Sequence, residues 1–429
     1  MLRWILTCAA LTIGCVPAGT DDAPTDDVEP PIQDPPDDSP EDPQDDPPDE
    51  PTGDPPGRPW TSEETIPDGL MPEDSLFRID RVVEIRFDLT AQALSALRSQ
   101  PTTYADATMR MFGQTFEVGI RVKGSSTFRG IDDKPSLKVD LEYSVPGQEI
   151  FGYEGFNLHN AVADASYVGE AVGHRMMRLA GVPSLKVGYA RVSIDGVDKG
   201  LYTLVQRKDK DWLAEWFQDP EGSLYEGLGC DFDNFGGAGC WNVDQEGSAD
   251  TRADLTDFVN AMAANGQQWW TTFRTRMDDQ LVIRGLAAEW VIGHWDSYSG
   301  NDNNYHLYHE PTTDRWSLSP WSLDLSFSRP VSGDCHVYGV NRNFYDRTQI
   351  PTNCNNDVQC NQELETAADQ LMTQIEGYDI DGLFDGIIRV IEPEVQTDPY
   401  SPGVVRFNQQ VECARSYLLE RRRELRLGP

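Results

Sequence analysis

No apolar run in this chain of 429 residues reaches the roughly 20 residues that a helix needs to cross a bilayer, so the body reads as soluble. Basic residues are scarce. Lys and Arg number 35 against 72 Asp and Glu, a formal net charge of −37. A chain this acidic lacks the cationic footprint with which nucleic-acid binders engage phosphates, and no nucleic acid is expected among its partners. Histidine is rarer still, at six, and no histidine pair accompanies the eight irregularly spaced cysteines, which argues against zinc. No internal repeat is visible.

What is present is uneven. Residues 21–57 hold fifteen acidic residues and twelve prolines, with no Lys or Arg. Such a stretch buries no apolar surface and its charges repel, so it reads as an extended, solvated spacer rather than a Ca²⁺ site. It supplies fifteen of the net negative charges, leaving about −22 on the rest. Ahead of it, MLRWILTCAALTIGC has the short charged start and apolar core of a signal peptide. Thr12-Ile13-Gly14 before Cys15 resembles the lipobox of bacterial lipoproteins, in which the cysteine is diacylated. The usual leucine three places before the cysteine is absent, and Leu11 lies one place earlier. An ordinary cleaved signal peptide is the alternative. The expected organisation is a signal peptide over 1–14, a lipidated N-terminus and disordered Pro/Asp-rich linker over 15–60, and a folded domain over 77–429. The chain is expected to be an exported lipoprotein of the cell envelope or surface, meeting the membrane only through the lipid on Cys15.

Six cysteines remain for the folded part: Cys230, Cys240, Cys335, Cys354, Cys360 and Cys413. An even set in an exported protein reads as up to three disulfides. Spacing alone singles out Cys230–Cys240, which closes a Gly-rich loop.

Periodicity predicts a strand-rich half followed by a helix-rich half. Strands are expected at Val82–Phe87, Thr108–Met111, Thr115–Lys123, Ser136–Tyr143, Val187–Ile194 and Leu201–Gln206, with hairpin turns at Gly113 and Asp195-Gly196. Helices are expected at Thr90–Ser99 after an Asp88 cap, at Tyr167–Leu179, and over 209–217, 252–263, 267–275, 279–293, 361–375 and 403–425. A further hairpin pairs Asn304–His309 with Arg315–Trp321, and 227–250 reads as loop.

The stretch HWDSYSGNDNNYHLYHEPTTDRWSLSPWSLDLSF, 294–327, carries the chemistry. Asp296 follows a helix, Asn301 lies five residues on, and a hairpin leads to Asp324. Phosphoryl transfer needs little more from a protein. One carboxylate orients the attacking hydroxyl, and an Asn with a second carboxylate holds Mg²⁺ on the phosphates.

Five segments resemble, in order, the spore coat protein H (CotH) kinase family: VKGSSTFRGIDDKPSLKVDL, FNLHNAVADASYVGEAVGHRMMRLAGVPSLKVGYARVSIDG, KGLYTLVQRKDKDWL, GSLYE and the stretch just quoted. The resemblance implies an α+β, atypical protein-kinase-like fold of two lobes, an N-lobe over about 77–208 and a C-lobe over about 209–429. It implies ATP and Mg²⁺ as cofactors and an exported or surface protein as the phosphate acceptor. By the same resemblance Asp296 is the catalytic carboxylate, with Asn301 and Asn304 in the loop after it. Asp324 is the metal carboxylate, joined by Asn301 and Asn304 as metal ligands. Gly124, Ser125 and Ser126, with Thr127, form the loop over the phosphates. Lys134 and Lys138 match the lysines of the next strand; Lys138 is taken as the phosphate contact, and Glu170 as the helix glutamate that holds it. Each has a plainer alternative: a hairpin turn for Gly124–Thr127, an outward strand residue for Lys138, and an exposed helix-start charge for Glu170. His294 reads as a packed or capping residue, and Trp290, Trp295, Trp316 and Trp321 as core.

Three departures bear on activity. The family reads Trp-Asp-x-Asp after the hairpin, and Ser322 stands at the first acid. Its hinge-like Glu is Gln206, and its Lys in Leu-Tyr-Lys is Glu226. Two functions therefore stay open: an ATP-dependent Ser/Thr kinase of exported proteins, and a catalytically weakened pseudokinase serving as a surface binding or structural module.

Overall fold

The computed structural model describes residues 76–232, 237–245, 251–264, 266–327 and 347–426. The signal peptide, Cys15, the acidic linker and Cys335 lie outside the described residues.

Strand β1 (Val82–Asp88) alternates buried Val83, Ile85 and Phe87 with exposed Glu84 and Arg86, as a strand with one wet face must. It opens a closed seven-stranded barrel with β2 (Ala105–Met111), β3 (Gln114–Lys123), β4 (Ser136–Asp140), β5 (Gly155–His159), β6 (Val187–Ile194) and β7 (Val197–Gln206), in the order β1-β2-β3-β4-β5-β7-β6. Parallel pairing of β1 with β6 closes it, and the other neighbours are antiparallel. Helix α1 (Ala91–Ser99) adds Ala93 and Leu97 to the cluster that fills the barrel.

A second cluster organises the rest, around Trp212, Trp241, Trp269 and Trp316. It joins α2 (Gly169–Leu179), α3 (Lys210–Trp216) and a four-stranded sheet ordered β11-β10-β8-β9, from β8 (Ser223–Gly227), β9 (Asn242–Gln245), β10 (Tyr305–Glu310) and β11 (Arg315–Pro320). The remaining helices are α4 (Thr251–Met262), α5 (Gln267–Arg276), α6 (Asp279–Ile292), α7 (Tyr298–Asn301), α8 (Gln349–Asn356), α9 (Val358–Glu376), α10 (Ile380–Thr397) and α11 (Val404–Arg426). No helix among the described residues is long and apolar enough to cross a membrane.

The mixed α+β class is as expected, and the barrel is new. So are β5, β8, β9, α8 and α10. The hairpins at Gly113 and Asp195-Gly196 form where expected, with Gly113 and both turn residues at positive φ. Helix α1 is capped by Thr90, whose hydroxyl accepts from the Ala93 N–H, while Asp88 ends β1. Cys230–Cys240 and Cys354–Cys360 are disulfides, and Cys413 is disulfide-bonded as well.

Candidate functional site

On β3, β4 and β5, one set of side chains fills the barrel, including Ile120, Val122, Leu137, Val139, Phe156 and Leu158. The alternate set, Arg121, Lys123, Lys138, Asn157 and His159, therefore lines the outer wall. Arg121 stands directly across from Lys138, and Lys138 from Asn157. Like charges in opposed register are destabilising. Yet the half-buried Lys138 ammonium has no ion-pair or hydrogen-bond partner among the described residues, in a protein with twice as many acids as bases. Burial, then Arg207, pulls the Lys138 pKa down. An anion seated on this wall would relieve both costs.

Helix α2 is buried along nearly its whole length, so its polar residues must find partners inside. The Glu170 carboxylate meets His159 Nδ1 at 2.9 Å through one oxygen and His174 Nε2 at 3.0 Å through the other. Burial works against its charge, and the two neighbouring imidazoles more than offset it, holding the carboxyl below the usual range. Burial lowers both histidines, so they are neutral at physiological pH. The other His159 nitrogen, Nε2, lies 2.8 Å from Lys123 Nζ. Lys123 in turn sits 4.6 Å from the centre of the Trp321 ring, and burial brings its pKa down to about 8 against the opposing pull of Glu170 and Glu226.

Trp321 leads into the opposite wall. Its backbone N–H donates to the Asn304 carbonyl at 2.8 Å. Asn304 Nδ2 donates to both the carbonyl and the Oδ2 of Asp296, each at 2.8 Å. Asn301 Nδ2 donates to Asp296 Oδ1 at 2.7 Å, and Asn303 Nδ2 reaches the same carboxylate at 3.3 Å. Three amides thus fix one carboxylate. The Asn303 side-chain Oδ1 is buried with no hydrogen-bond partner among the described residues. Backbone strain gathers here: Asp302, Asn304 and Ser322 all hold positive φ, a cost that persists only where surroundings enforce it.

Past the hairpin, the Ser322 hydroxyl donates to Asp324 Oδ1 at 3.1 Å. The 323–325 turn rests on the start of α2, where a Cβ on Gly169 would lie 2.8 Å from the Asp324 carbonyl and 2.9 Å from an Asp164 carboxylate oxygen. Burial, followed by the negative charges of Glu170 and Asp164, pushes the Asp324 carboxyl up to about 8, and Asp296 adds to the effect. A divalent cation would relieve this clustering of acids. No group of three or more His, Cys, Asp or Glu among the described residues is arranged to hold a metal unaided.

The sequence-expected residues are thus partly together. Asp296, Asn301 and Asn304 share one hydrogen-bonded loop; Asp324 lies near enough to Glu170 and Asp296 to feel their charges. The Asn301 side-chain Oδ1 accepts from Arg347 at 3.1 Å. Glu170 is fully buried rather than exposed, and its partners are histidines; the lysine that reaches it, through His159, is Lys123, not Lys138. Gly124 takes φ +115 in the turn after β3, with Ser125 and Ser126 exposed. Lys134 points elsewhere, into a buried ion pair with Asp398 at 3.0 Å. The Gln206 side chain accepts from the Lys186 N–H and donates to Glu215, which makes it a strut. His294 is fully buried, and burial brings its pKa down to about 4. Trp316 is core, and Trp290, Trp295 and Trp321 are partly covered. Lys123, His159 and Asn303 were missed, although the alternation of β3 already puts Lys123 on the wet face.

Among solved structures, the chain is similar to a proinflammatory kinase of Helicobacter pylori, CtkA, at 8% identity and a TM-score of 0.30, covering 67% of this chain and 90% of that one. It is also similar to a Shewanella oneidensis HipA, HipB and operator DNA complex, at 14% identity and a TM-score of 0.26, covering 83% and 73%. At those scores neither likeness carries weight for this chain. No curated protein matches it. The family model described as CotH kinase protein matches residues 120–425, most of the folded region. With that match over the barrel wall, the buried glutamate and the Asp296–Asp324 stretch alike, the chain belongs to the CotH kinase family.

Proposed function

We propose that this protein is an exported, lipid-anchored kinase that transfers phosphate from MgATP to Ser or Thr hydroxyls of exported or surface proteins. In this reading the barrel is the N-lobe, the helical part is the C-lobe, and the anchor is Cys15 at the head of the acidic spacer. One observation carries the proposal. The cationic barrel wall, in an otherwise acidic protein, is linked through Trp321 to a loop that fixes Asp296 with three amides.

MgATP, when bound, supplies the phosphoryl group and a cation that offsets its charge. Lys123 and Lys138 bind the phosphate oxygens from the barrel side. Asp324 and the unpartnered Asn303 oxygen, with Asn301 or Asn304 after a small rearrangement, fit as oxygen donors for Mg²⁺. Asp296 orients the acceptor hydroxyl and takes its proton, a role that needs a carboxylate held in one place.

A second reading, a binding module without turnover, is favoured by Ser322: a hydroxyl stands where the family has an acid, and it is spent on Asp324. Incubating the full chain with labelled MgATP and a mixed protein acceptor separates the two. We expect transfer that falls about 100- to 10,000-fold in Asp296→Asn, the usual worth of a positioned base. Label unchanged by this substitution would remove the kinase reading, and nucleotide binding without label would favour the module.

A further inference from the structure

We propose that His159 is a positioning residue that holds the Lys123 ammonium for a ligand's phosphate oxygens, spanning the gap to Glu170 that a direct lysine–glutamate pair would close. The proposal deepens the nucleotide reading and rests on it for the ligand. Its geometry is a continuous chain. His174 Nδ1 lies 3.3 Å from the Leu185 N–H and 2.7 Å from the Ser184 hydroxyl, and its Nε2 stands 3.0 Å from the Glu170 oxygen that His159 does not use. The second Glu170 oxygen takes the His159 Nδ1–H at 2.9 Å. His159 Nε2 is then a lone pair, 2.8 Å from Lys123 Nζ. Anionic glutamate, a neutral His159 imidazole and a cationic lysine satisfy both hydrogen bonds of His159. The imidazole sets how far Lys123 stands off β3, and the Trp321 ring covers the ammonium at 4.6 Å.

The bridge has a consequence that a direct pair lacks. Protonating His159 removes the lone pair that Lys123 needs and places two cations face to face. The groups around the chain are known. Lys123 faces Glu170 and Glu226 as anions and Lys138 and Arg121 as cations. His159 faces Lys123, Glu170 and His174, and His174 faces Glu170, Lys208 and Arg178. Among the described residues Glu170 is the carboxylate in contact with His159, and burial keeps the imidazole below the ordinary histidine range. Phosphate affinity should therefore have an acid limb from His159 below that range and an alkaline limb from Lys123 near its value of about 8.

The test titrates MgADP into the full chain from pH 5 to 9, in wild type, His159→Gln and His159→Phe. Gln keeps an acceptor and a donor but cannot ionise. We expect H159Q to bind within about threefold of wild type at pH 7.5, and the wild-type to H159Q affinity ratio to drop at least fivefold by pH 5. The ligand's own ionisation cancels in that ratio. H159F, with unchanged circular dichroism, should lose at least tenfold at pH 7.5. A pH-independent ratio, or wild-type affinity in H159F, would overturn the proposal. Should wild type bind no MgADP at any pH, the nucleotide reading fails, and the bridge is judged by pH-resolved lysine acylation read by mass spectrometry. There the Lys123 midpoint must move downward in H159F, and an unmoved midpoint rejects the bridge.

Discussion

Two lysines from neighbouring stretches of the barrel are taken out of water in opposite ways. Lys134 is sealed against Asp398, with both side chains at most 2% exposed. Asp398 also accepts from the Leu201 N–H, the Tyr400 N–H and the Tyr167 hydroxyl. Lys123, eleven residues earlier, has no carboxylate in contact among the described residues. It leans on a neutral imidazole and an aromatic face. The first arrangement ties the barrel to the end of α10. The second leaves an ammonium without a carboxylate contact among the described residues, the arrangement that the proposed phosphate contact requires.

The largest effect should come from breaking the sealed pair. Lys134→Met leaves the Asp398 charge buried and uncompensated, and is expected to cost about 3–5 kcal/mol in denaturant unfolding. Asp398→Ala should cost as much, and the double variant clearly less than the sum, because neither charge is then stranded. An additive double variant would place Lys134 and Asp398 in separate roles.

A smaller effect of opposite sign is expected at Lys123. Burial lowers its pKa to about 8. Between that value and the ordinary lysine value near 10.4, the unfolded chain holds a proton that the folded chain has released, so wild-type stability rises with pH across this window. Lys123→Met has no charge to bury. Its thermal midpoint should exceed that of wild type at pH 7, with the gap narrowing as pH rises past about 8. A destabilised K123M at pH 7 would make Lys123 another structural ion rather than a functional one.

This contrast also marks what could be read from sequence. Strands with one wet face announced themselves: Val82–Asp88 alternates cleanly, and the hairpins carry Gly at their turns. The loop around Asp296 was legible because Asp296, Asn301 and Asn304 lie within nine residues of one another and bond locally. Short β5 was not legible, since five residues, Gly155–His159, carry too little periodicity to stand out. The Lys134–Asp398 pair spans 264 positions and leaves no local pattern. That Lys123, rather than the expected Lys138, meets His159 was equally out of reach. Both lie on the outer wall, and only barrel closure and the seating of α2 decide which one meets His159.

The most direct measurement is lysine acylation of the full chain with and without MgATP, read residue by residue. The account predicts that the nucleotide protects Lys123 at least fivefold while exposed Lys210 reacts equally in both samples. Equal modification of Lys123 and Lys210, with and without MgATP, would contradict it.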